Sequence, residues 1–321
     1  MTLSVINPFD QRVYRELALD TTASLEKKIL AAKTAAGKWR MVPLAERVAA
    51  VRSGLDYFRT HRDAIAADIT AQMGKPITES RNEIKGLFER AEHMLAIAEE
   101  SLAPEILPPK DDLYRRIERE PLGVVLNIAA WNYPLLIAVN VVVPALVAGN
   151  SVLLKHSART PLCGEHFQEA FGHAPGLVTN LVLSHDQTNA LIQDPRIDHV
   201  VFTGSVGGGR HIHQAAAGRF IDVGLELGGK DPAYVAEDAD LTFTVPNVVD
   251  GALYNAGQSC CGVERVYVHR NIYAVFLEKA VDALARYQPG DPMDPKTTLG
   301  PLANRSAMGV LDFQVDDALH R

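Results

Sequence analysis

The sequence predicts an α/β fold, in which a doubly wound parallel sheet is followed by a second α/β domain. Between residues 124 and 227, short and continuously apolar runs alternate with helical segments. This alternation is typical of a parallel sheet whose two faces are both covered by helices. A second unit of the same kind begins after Gly229. The length of 321 residues also favours about two domains.

The predicted elements follow from hydrophobic periodicity and from turn residues. The strands of the sheet are predicted at residues 124–129, 151–155, 177–183, 199–203 and 222–227. The helices between these strands are predicted at 135–148, 160–171, 187–193 and 207–217. In the second unit, strands are predicted at 233–236 and 266–269, and helices at 241–254 and 273–286.

The first hundred residues carry apolar positions at helical spacing and predict helices at 25–39, 44–73 and 77–102. The segment 104–121 is Pro-rich and then alternates with period two, which predicts an exposed strand or arm. The final residues, 312–321, resemble part of a helix.

Composition excludes several classes of protein. Hydrophobic residues make up 47% of the chain and charged residues 22%, which is ordinary for a globular protein. The net charge of -7 argues against a dedicated nucleic-acid partner. Three cysteines and no apolar signal core near the N-terminus indicate a cytoplasmic protein. The uncharged stretch 121–154 is long enough to span a bilayer, but its asparagines and prolines favour buried elements over a membrane span.

Two side chains are candidates for thiol chemistry. Cys260 lies in a loop of small residues, and Glu226 ends an apolar strand that is followed by two glycines. A carboxylate near a cysteine can serve as the general base of a thiol mechanism. Taken alone, a cysteine such as Cys260 is more often a buried small apolar residue, and Glu226 is equally compatible with a solvated strand end. No Cys or His at ligand spacing accompanies Cys260, so we expect no metal site.

Three further segments are candidates for ligand binding at the carboxyl ends of strands. The glycine-rich turn 204–209 joins a strand to a helix and resembles a phosphate cradle, although such turns are common. Asn132 can donate to an oxyanion or can cap its own helix. Lys155 can donate to ribose hydroxyls or can be an ordinary surface lysine.

Taken together, the order and spacing of these motifs resemble the NAD(P)-dependent aldehyde dehydrogenase superfamily over essentially the whole chain. The matching motifs are Pro121-x-Gly123-Val124, Trp131-Asn132-x-Pro134, Ala148-Gly149-Asn150-x-x-x-x-Lys155, Phe202-Thr203-Gly204-Ser205, Glu226-Leu227-Gly228-Gly229-Lys230 and Asn255-Ala256-Gly257-Gln258-x-Cys260.

The resemblance implies a role for each site residue. Cys260 would be the nucleophile, Glu226 the general base, and Asn132 with the Cys260 amide the oxyanion site. NAD or NADP would be the cofactor, and the residues implied to bind it are Trp131, Lys155, Gly204, Ser205, Leu227 and Gly228.

The resemblance also implies an architecture. Residues 1–103 and 122–229 would form the dinucleotide-binding domain, 104–121 an oligomerisation arm, and 230–321 the catalytic domain. A homodimer or homotetramer that oxidises a small aldehyde would be the full-length form.

The sequence departs from the family pattern in two respects that bear on function. Relatives continue well over a hundred residues past the position of Arg321, so we expect a C-terminally truncated chain that binds dinucleotide but turns over aldehydes poorly. Ala158 stands where the family pattern has a glutamate that repels a 2'-phosphate. Its absence makes NADP a possible cofactor, with Arg159 as the partner of the 2'-phosphate. Two alternatives stay open: a non-catalytic fragment or interaction module, and a CoA-acylating dehydrogenase, although the latter usually lacks the general base.

Overall fold

The structure, a computed structural model, describes all 321 residues. Its centre is a five-stranded sheet in which every neighbouring pair is parallel. The strand order is β7-β6-β5-β8-β9, so the chain starts at the centre, moves to one edge and returns to build the other. The strands are β5 (Val124–Ala129), β6 (Ser151–His156), β7 (Val178–Asn180), β8 (His199–Thr203) and β9 (Val223–Glu226).

This is the predicted doubly wound sheet, and β5 and β8 have the predicted bounds. Successive side chains of a strand point to opposite faces. Val125 and Ala129 accordingly pack into one hydrophobic core, and Leu126 and Ile128 pack into another. The connecting helices are α6 (Pro134–Val147), α7 (Leu162–Ala170), α8 (His185–Ile192) and α9 (Val206–Ala216).

The N-terminal region contains helices α1 to α5, but two predictions for it were wrong in detail. Residues 44–73 form two helices, because the Thr60 hydroxyl and the His61 ring both bond to the carbonyl of Tyr57 and compete with the helical backbone. Residues 77–102 are also interrupted, at Ile97. The helices are α1 (Thr22–Trp39), α2 (Leu44–Thr60), α3 (Arg62–Met73), α4 (Ile77–Ala96) and α5 (Ala98–Leu102).

The first twenty residues form an antiparallel hairpin that the helical interpretation missed. Its strands are β1 (Thr2–Ile6) and β2 (Val13–Ala18). The turn between them is stabilised by the Asn7 side chain, which accepts from the Phe9 amide at 2.9 Å. A second hairpin, β3 (Glu105–Lys110) with β4 (Leu113–Ile117), lies within the predicted arm and is almost entirely exposed.

The chain after Gly229 forms a small α/β unit. Strand β10 (Asp231–Val235) pairs in parallel with β11 (Val263–Val268). The helices of this unit are α10 (Leu241–Leu253), α11 (Tyr273–Leu284) and α12 (Ser306–His320). No helix of the structure combines the length and apolar character needed to cross a membrane. The uncharged stretch noted above is divided among β5, α6 and β6.

Candidate active site

The loop that carries Cys260 begins with a left-handed turn. Three consecutive residues have positive φ: Asn255 at 56°, Ala256 at 54° and Gly257 at 71°. Asn and Gly adopt this conformation readily, but for Ala256 it is strained. Strain of this kind persists only where surrounding contacts hold the backbone in place. The contacts of Asn255 do so here.

Asn255 is 1% exposed and links three segments of the site. Its side-chain amide donates to the backbone carbonyl of Asn132 at 2.9 Å and to that of Gln258 at 3.2 Å. Its backbone N–H donates to a carboxylate oxygen of Glu79 at 3.0 Å. The turn before Cys260 is therefore tied both to the loop after β5 and to the first turn of α4. Asn255 was predicted only as part of a motif, and Glu79 was not among the predicted site residues.

Glu79 has an unusual environment for a carboxyl group. Burial raises its pKa from 4.5 to about 7, although Lys75 and the Asn255 N–H favour the charged form. Asp250 adds a like charge, and burial also raises the pKa of nearby Tyr254 to about 12. Because the folded-state pKa is raised, protonated Glu79 contributes stability below about pH 4.5 that is lost as pH rises through about 7.

We therefore expect Glu79→Gln to flatten the pH dependence of folding stability. Between pH 5 and pH 8 the wild type should lose roughly 2 kcal/mol more than the variant, from about 1.36 kcal/mol per unit of pKa shift. Urea unfolding of both proteins at the two pH values measures this difference. Glu89→Gln, an exposed change on the same helix, should keep the wild-type dependence. An equal pH response in wild type and Glu79→Gln would show that the buried carboxyl does not titrate in this range.

Cys260 lies where two cavities meet. One has a volume of about 660 Å³ and extends along α6; Tyr133, Asn140, Thr203 and Glu226 line it together with Cys260. The other has a volume of about 500 Å³ and lies at the carboxyl edge of the sheet. The predicted site residues that line this second cavity are Trp131, Asn132, Gly204, Ser205, Leu227, Gly228 and Cys260. A thiol in this position can contact one ligand on each side.

The three cysteines differ in access. Cys260 and Cys261 are exposed, and Cys163 is fully buried. Partial burial and the adjacent Cys261 raise the pKa of the Cys260 thiol. Burial raises the pKa of Cys163 well above its usual value. Cys260 is therefore accessible but mostly protonated at neutral pH, so its use as a nucleophile requires a group that removes the proton.

Glu226 and Asn132 flank Cys260 from different segments. Glu226 is the last residue of β9, is exposed and lines the larger cavity with Cys260. Asn132 follows β5, and its amide donates to the carbonyl of Gln258, two residues before Cys260, at 3.0 Å. An asparagine amide has two hydrogens, so the second remains available to an oxygen in the cavity.

The glycine-rich turn forms the start of α9. The Ser205 hydroxyl caps the helix and accepts from the Gly208 amide at 3.1 Å. A Cβ at Gly204 would lie 2.5 Å from the ring of Phe202, so a side chain there would collide with the sheet. At Gly207 a Cβ would meet nothing within 4 Å, so the first turn of α9 is open. Open amides at a helix N-terminus are suited to a phosphate group.

Lys155 lines neither cavity. It is the next-to-last residue of β6, beside β5 at the same sheet edge, is 7% exposed, and burial lowers its pKa. Arg159, four residues later, places its guanidinium 5.1 Å from the centre of the Trp131 ring. A basic pair therefore lies beside the smaller cavity rather than inside it.

A buried ion pair supports the loop after β5. Lys75 Nζ lies 2.5 Å from Glu83 Oε2, and both side chains are at most 1% exposed. The other Glu83 oxygen accepts from the Leu135 amide at 2.8 Å and so caps the N-terminus of α6. Lys75 also lies 4.2 Å from the centre of the Tyr133 ring. Pairing and capping together satisfy charges that would otherwise be costly to bury.

A doubly wound sheet with a glycine-rich turn at its carboxyl edge defines a nucleotide-binding fold, and the exposed cysteine adds a reactive centre. The profile of the aldehyde dehydrogenase family matches residues 1–321. The chain therefore belongs to the aldehyde dehydrogenase family, whose reaction is the NAD(P)-dependent oxidation of an aldehyde.

Individual relatives agree with this membership. A succinate-semialdehyde dehydrogenase [NADP(+)] of Mycobacterium tuberculosis is 32% identical over 325 residues, which cover 99% of this chain and 71% of that protein. A 3,6-anhydro-alpha-L-galactose dehydrogenase of Streptomyces coelicolor is 33% identical, over 99% of this chain and 65% of that protein. Succinic semialdehyde dehydrogenase from Streptococcus pyogenes, solved with NADP+, superposes with a TM-score of 0.93 at 32% identity, over 99% of this chain and 70% of that one.

Proposed function

We propose that Cys260 is the nucleophile in the oxidation of an aldehyde to a carboxylic acid. The observation that carries this proposal is the position of Cys260 between two cavities. Its thiolate adds to the aldehyde carbon from the larger cavity and forms a thiohemiacetal. The second amide hydrogen of Asn132 and the backbone N–H of Cys260 donate to the resulting oxyanion.

The carboxylate of Glu226 accepts a proton at two points in the reaction, first from the Cys260 thiol and later from water. Because the pKa of Cys260 is raised, its proton must be removed before attack, and Glu226 lines the same cavity. After oxidation leaves a thioester on Cys260, Glu226 accepts a proton from water, and the hydroxide adds to the thioester carbon. Loss of the Cys260 thiolate then releases the carboxylic acid. A carboxylate beside Cys260 supports hydrolysis over transfer to CoA.

The smaller cavity fits a nicotinamide dinucleotide. Its open α9 amides suit the pyrophosphate, and Trp131, Leu227 and Gly228 form the walls next to Cys260. A dinucleotide held there would supply the hydride acceptor that converts the thiohemiacetal on Cys260 into a thioester. Lys155, beside this cavity, would donate to the adenosine ribose. Arg159, stacked on Trp131, and Ala158, which carries no opposing charge, favour NADP over NAD. The NADP+ dependence in the names of two relatives agrees with this preference.

The experiment that tests the proposal is the appearance of NADPH absorbance when protein, NADP+ and an aldehyde are mixed. A stoichiometric amount that requires all three components is expected. If a broad aldehyde panel with either dinucleotide yields no reduced cofactor and no Cys260 adduct, the proposed role of Cys260 fails.

The cofactor preference has its own test. Arg159→Gln should weaken NADP+ binding about ten-fold and leave NAD+ binding unchanged, because only the 2'-phosphate uses the guanidinium. Calorimetric titration with both dinucleotides measures the two affinities. Arg52→Gln, an exposed change on α2, serves as the control. An equal loss of affinity for NADP+ and for NAD+ would mean that Arg159 supports the Trp131 loop and does not bind the 2'-phosphate.

The same proposal extends to organisation and location. Residues 1–103 and 122–229 form the dinucleotide-binding domain, and residues 230–321 belong to the catalytic domain. The exposed hairpin β3–β4 within 104–121 is the arm of a homodimer or homotetramer. Three free cysteines support a cytoplasmic location.

A further inference from the structure

The loop that carries Cys260 and the loop that carries Asn132 are held together by one side chain. The Asn255 amide donates to the backbone carbonyls of Asn132, at 2.9 Å, and Gln258, at 3.2 Å. The Asn132 side chain donates to the same Gln258 carbonyl at 3.0 Å. A shift of Asn255 therefore changes the position of the Cys260 loop relative to the Asn132 amide.

The backbone of Asn255 is itself fixed from outside both loops. Its N–H donates to Glu79 Oε2, on α4, at 3.0 Å. Asn255 and Ala256 both have left-handed backbone angles, and for alanine this conformation is strained. A strained turn relaxes when the contacts that hold it weaken. The acceptor strength of Glu79 therefore bears on the geometry of the whole site.

The acceptor strength of a carboxyl group depends on its charge, because a hydrogen bond to a carboxylate is roughly twice as strong as one to a neutral acceptor. Burial raises the pKa of Glu79 to about 7, so both forms are populated near neutral pH. Lys75 favours the charged form and Asp250 opposes it. The titratable groups around Glu79 are Lys75 with its partner Glu83, Asp250, Tyr133, Tyr254 and Tyr287. Burial raises the pKa of all three tyrosines, so they stay neutral in this range.

We propose that the Glu79 carboxylate is a positioning residue for Cys260 and Asn132, and that it acts on both through Asn255. This inference rests on the roles proposed above for Cys260 and Asn132. The charged form holds the left-handed turn, and protonation weakens its bond to the Asn255 N–H. The thiol and the oxyanion donor are then less well fixed relative to each other. The charged form lowers folding stability, as argued above, yet it is the form that orders the site.

The test measures how well an aldehyde protects Cys260 from iodoacetamide at pH 6 and at pH 8, and so needs neither cofactor nor turnover. Propanal is the probe, and mass spectrometry identifies the alkylated residue. Because the pKa of Cys260 is raised, the thiol and its propanal adduct both keep their protons in this range. The half-protecting concentration therefore does not depend on ionisation of the thiol.

In the wild type this concentration should be about five-fold lower at pH 8 than at pH 6. The charged acceptor is expected to favour the adduct about ten-fold, and its population rises from about one-tenth to about nine-tenths between the two pH values. Protection of the Asn255 amide from hydrogen exchange, corrected for the intrinsic rate, should rise over the same range. This second measurement needs no aldehyde.

Glu79→Gln supplies an oxygen that accepts the Asn255 N–H but never carries a charge. Its half-protecting concentration should stay at the pH 6 value of the wild type at both pH values. Glu79→Asp, which is charged but one methylene shorter, should restore part of the pH dependence. Glu89→Gln, the exposed change on the same helix, is the matched control and should behave like the wild type.

The outcomes separate the two proposals. If propanal protects Cys260 equally at pH 6 and pH 8 in the wild type, or if Glu79→Gln keeps the full pH dependence, Glu79 does not position the site and the nucleophile stands. If Glu79→Gln fails to fold, the wild-type profile and Glu79→Asp decide in the same way. If propanal does not protect Cys260 at either pH, the proposed function itself fails, and the exchange of the Asn255 amide still tests its link to Glu79.

Discussion

Replacement of Cys260 by alanine is expected to abolish aldehyde oxidation, with a loss on the order of 10⁴-fold or more, as found when other nucleophiles are removed. The physical reason is that Cys260 is the only thiol that lines both cavities, and it forms the covalent intermediate that splits the reaction into two easier steps. Reduced-cofactor formation and intact mass after aldehyde addition measure the loss.

Alkylation by iodoacetamide provides an independent measurement of the same residue. Cys260 should react while Cys163 stays unmodified in the folded protein, since Cys163 is fully buried. Because the pKa of Cys260 is raised, its rate of alkylation should increase steadily as pH rises above neutrality. Cys163→Ala controls for loss of a thiol outside the site. If Cys261→Ala lost activity while Cys260→Ala kept it, the nucleophile would be the adjacent residue.

Glu226→Gln is the substitution with the next largest expected effect. It should slow thioester hydrolysis about 10²- to 10⁴-fold, the usual contribution of a general base. Glutamine keeps the size of the side chain but cannot accept the proton of water. Oxidation of the first equivalent of aldehyde should suffer less, because a small fraction of Cys260 ionises without help.

The expected trace for this variant, in a form of the protein that turns over, is a burst of reduced cofactor followed by slow turnover. Intact mass should show the acyl group on Cys260. Glu237→Gln, an exposed carboxylate that bonds Asn271 outside both cavities, is the control. A steady-state rate equal to that of the wild type would assign Glu226 a structural role only.

Much of the sheet could be predicted from sequence because strands β5, β6 and β7 are buried on both faces. Strands β5 and β8 are continuously apolar or bounded by turn residues, so periodicity and length identify them without tertiary information. The hairpin β1–β2 was missed because short strands near a terminus have weak alternation. The helix predicted at 44–73 is interrupted at His61 because the Thr60 and His61 side chains bond to the Tyr57 carbonyl. The periodicity of apolar residues does not indicate such side-chain contacts.

Some residues of the site could also be predicted from sequence, and others could not. Cys260, Glu226 and Asn132 follow or end predicted strands and helices, so their meeting at one edge of the sheet was predictable from topology. Glu79 is a charged residue on an ordinary amphipathic helix, and nothing in its local sequence separates it from solvent-facing neighbours. Only the packing of α4 against the Cys260 loop gives Glu79 its buried environment.

By itself, the sequence determined the doubly wound sheet, the family, and the order of the residues that carry the chemistry, because these depend on periodicity and motif spacing along the chain. The tertiary structure alone decided which charges are buried and which of them are paired. Glu79 has a raised pKa because α4 packs under the left-handed turn at Asn255. Desolvation and pairing depend on contacts between segments far apart in sequence, and those contacts exist only in the folded chain.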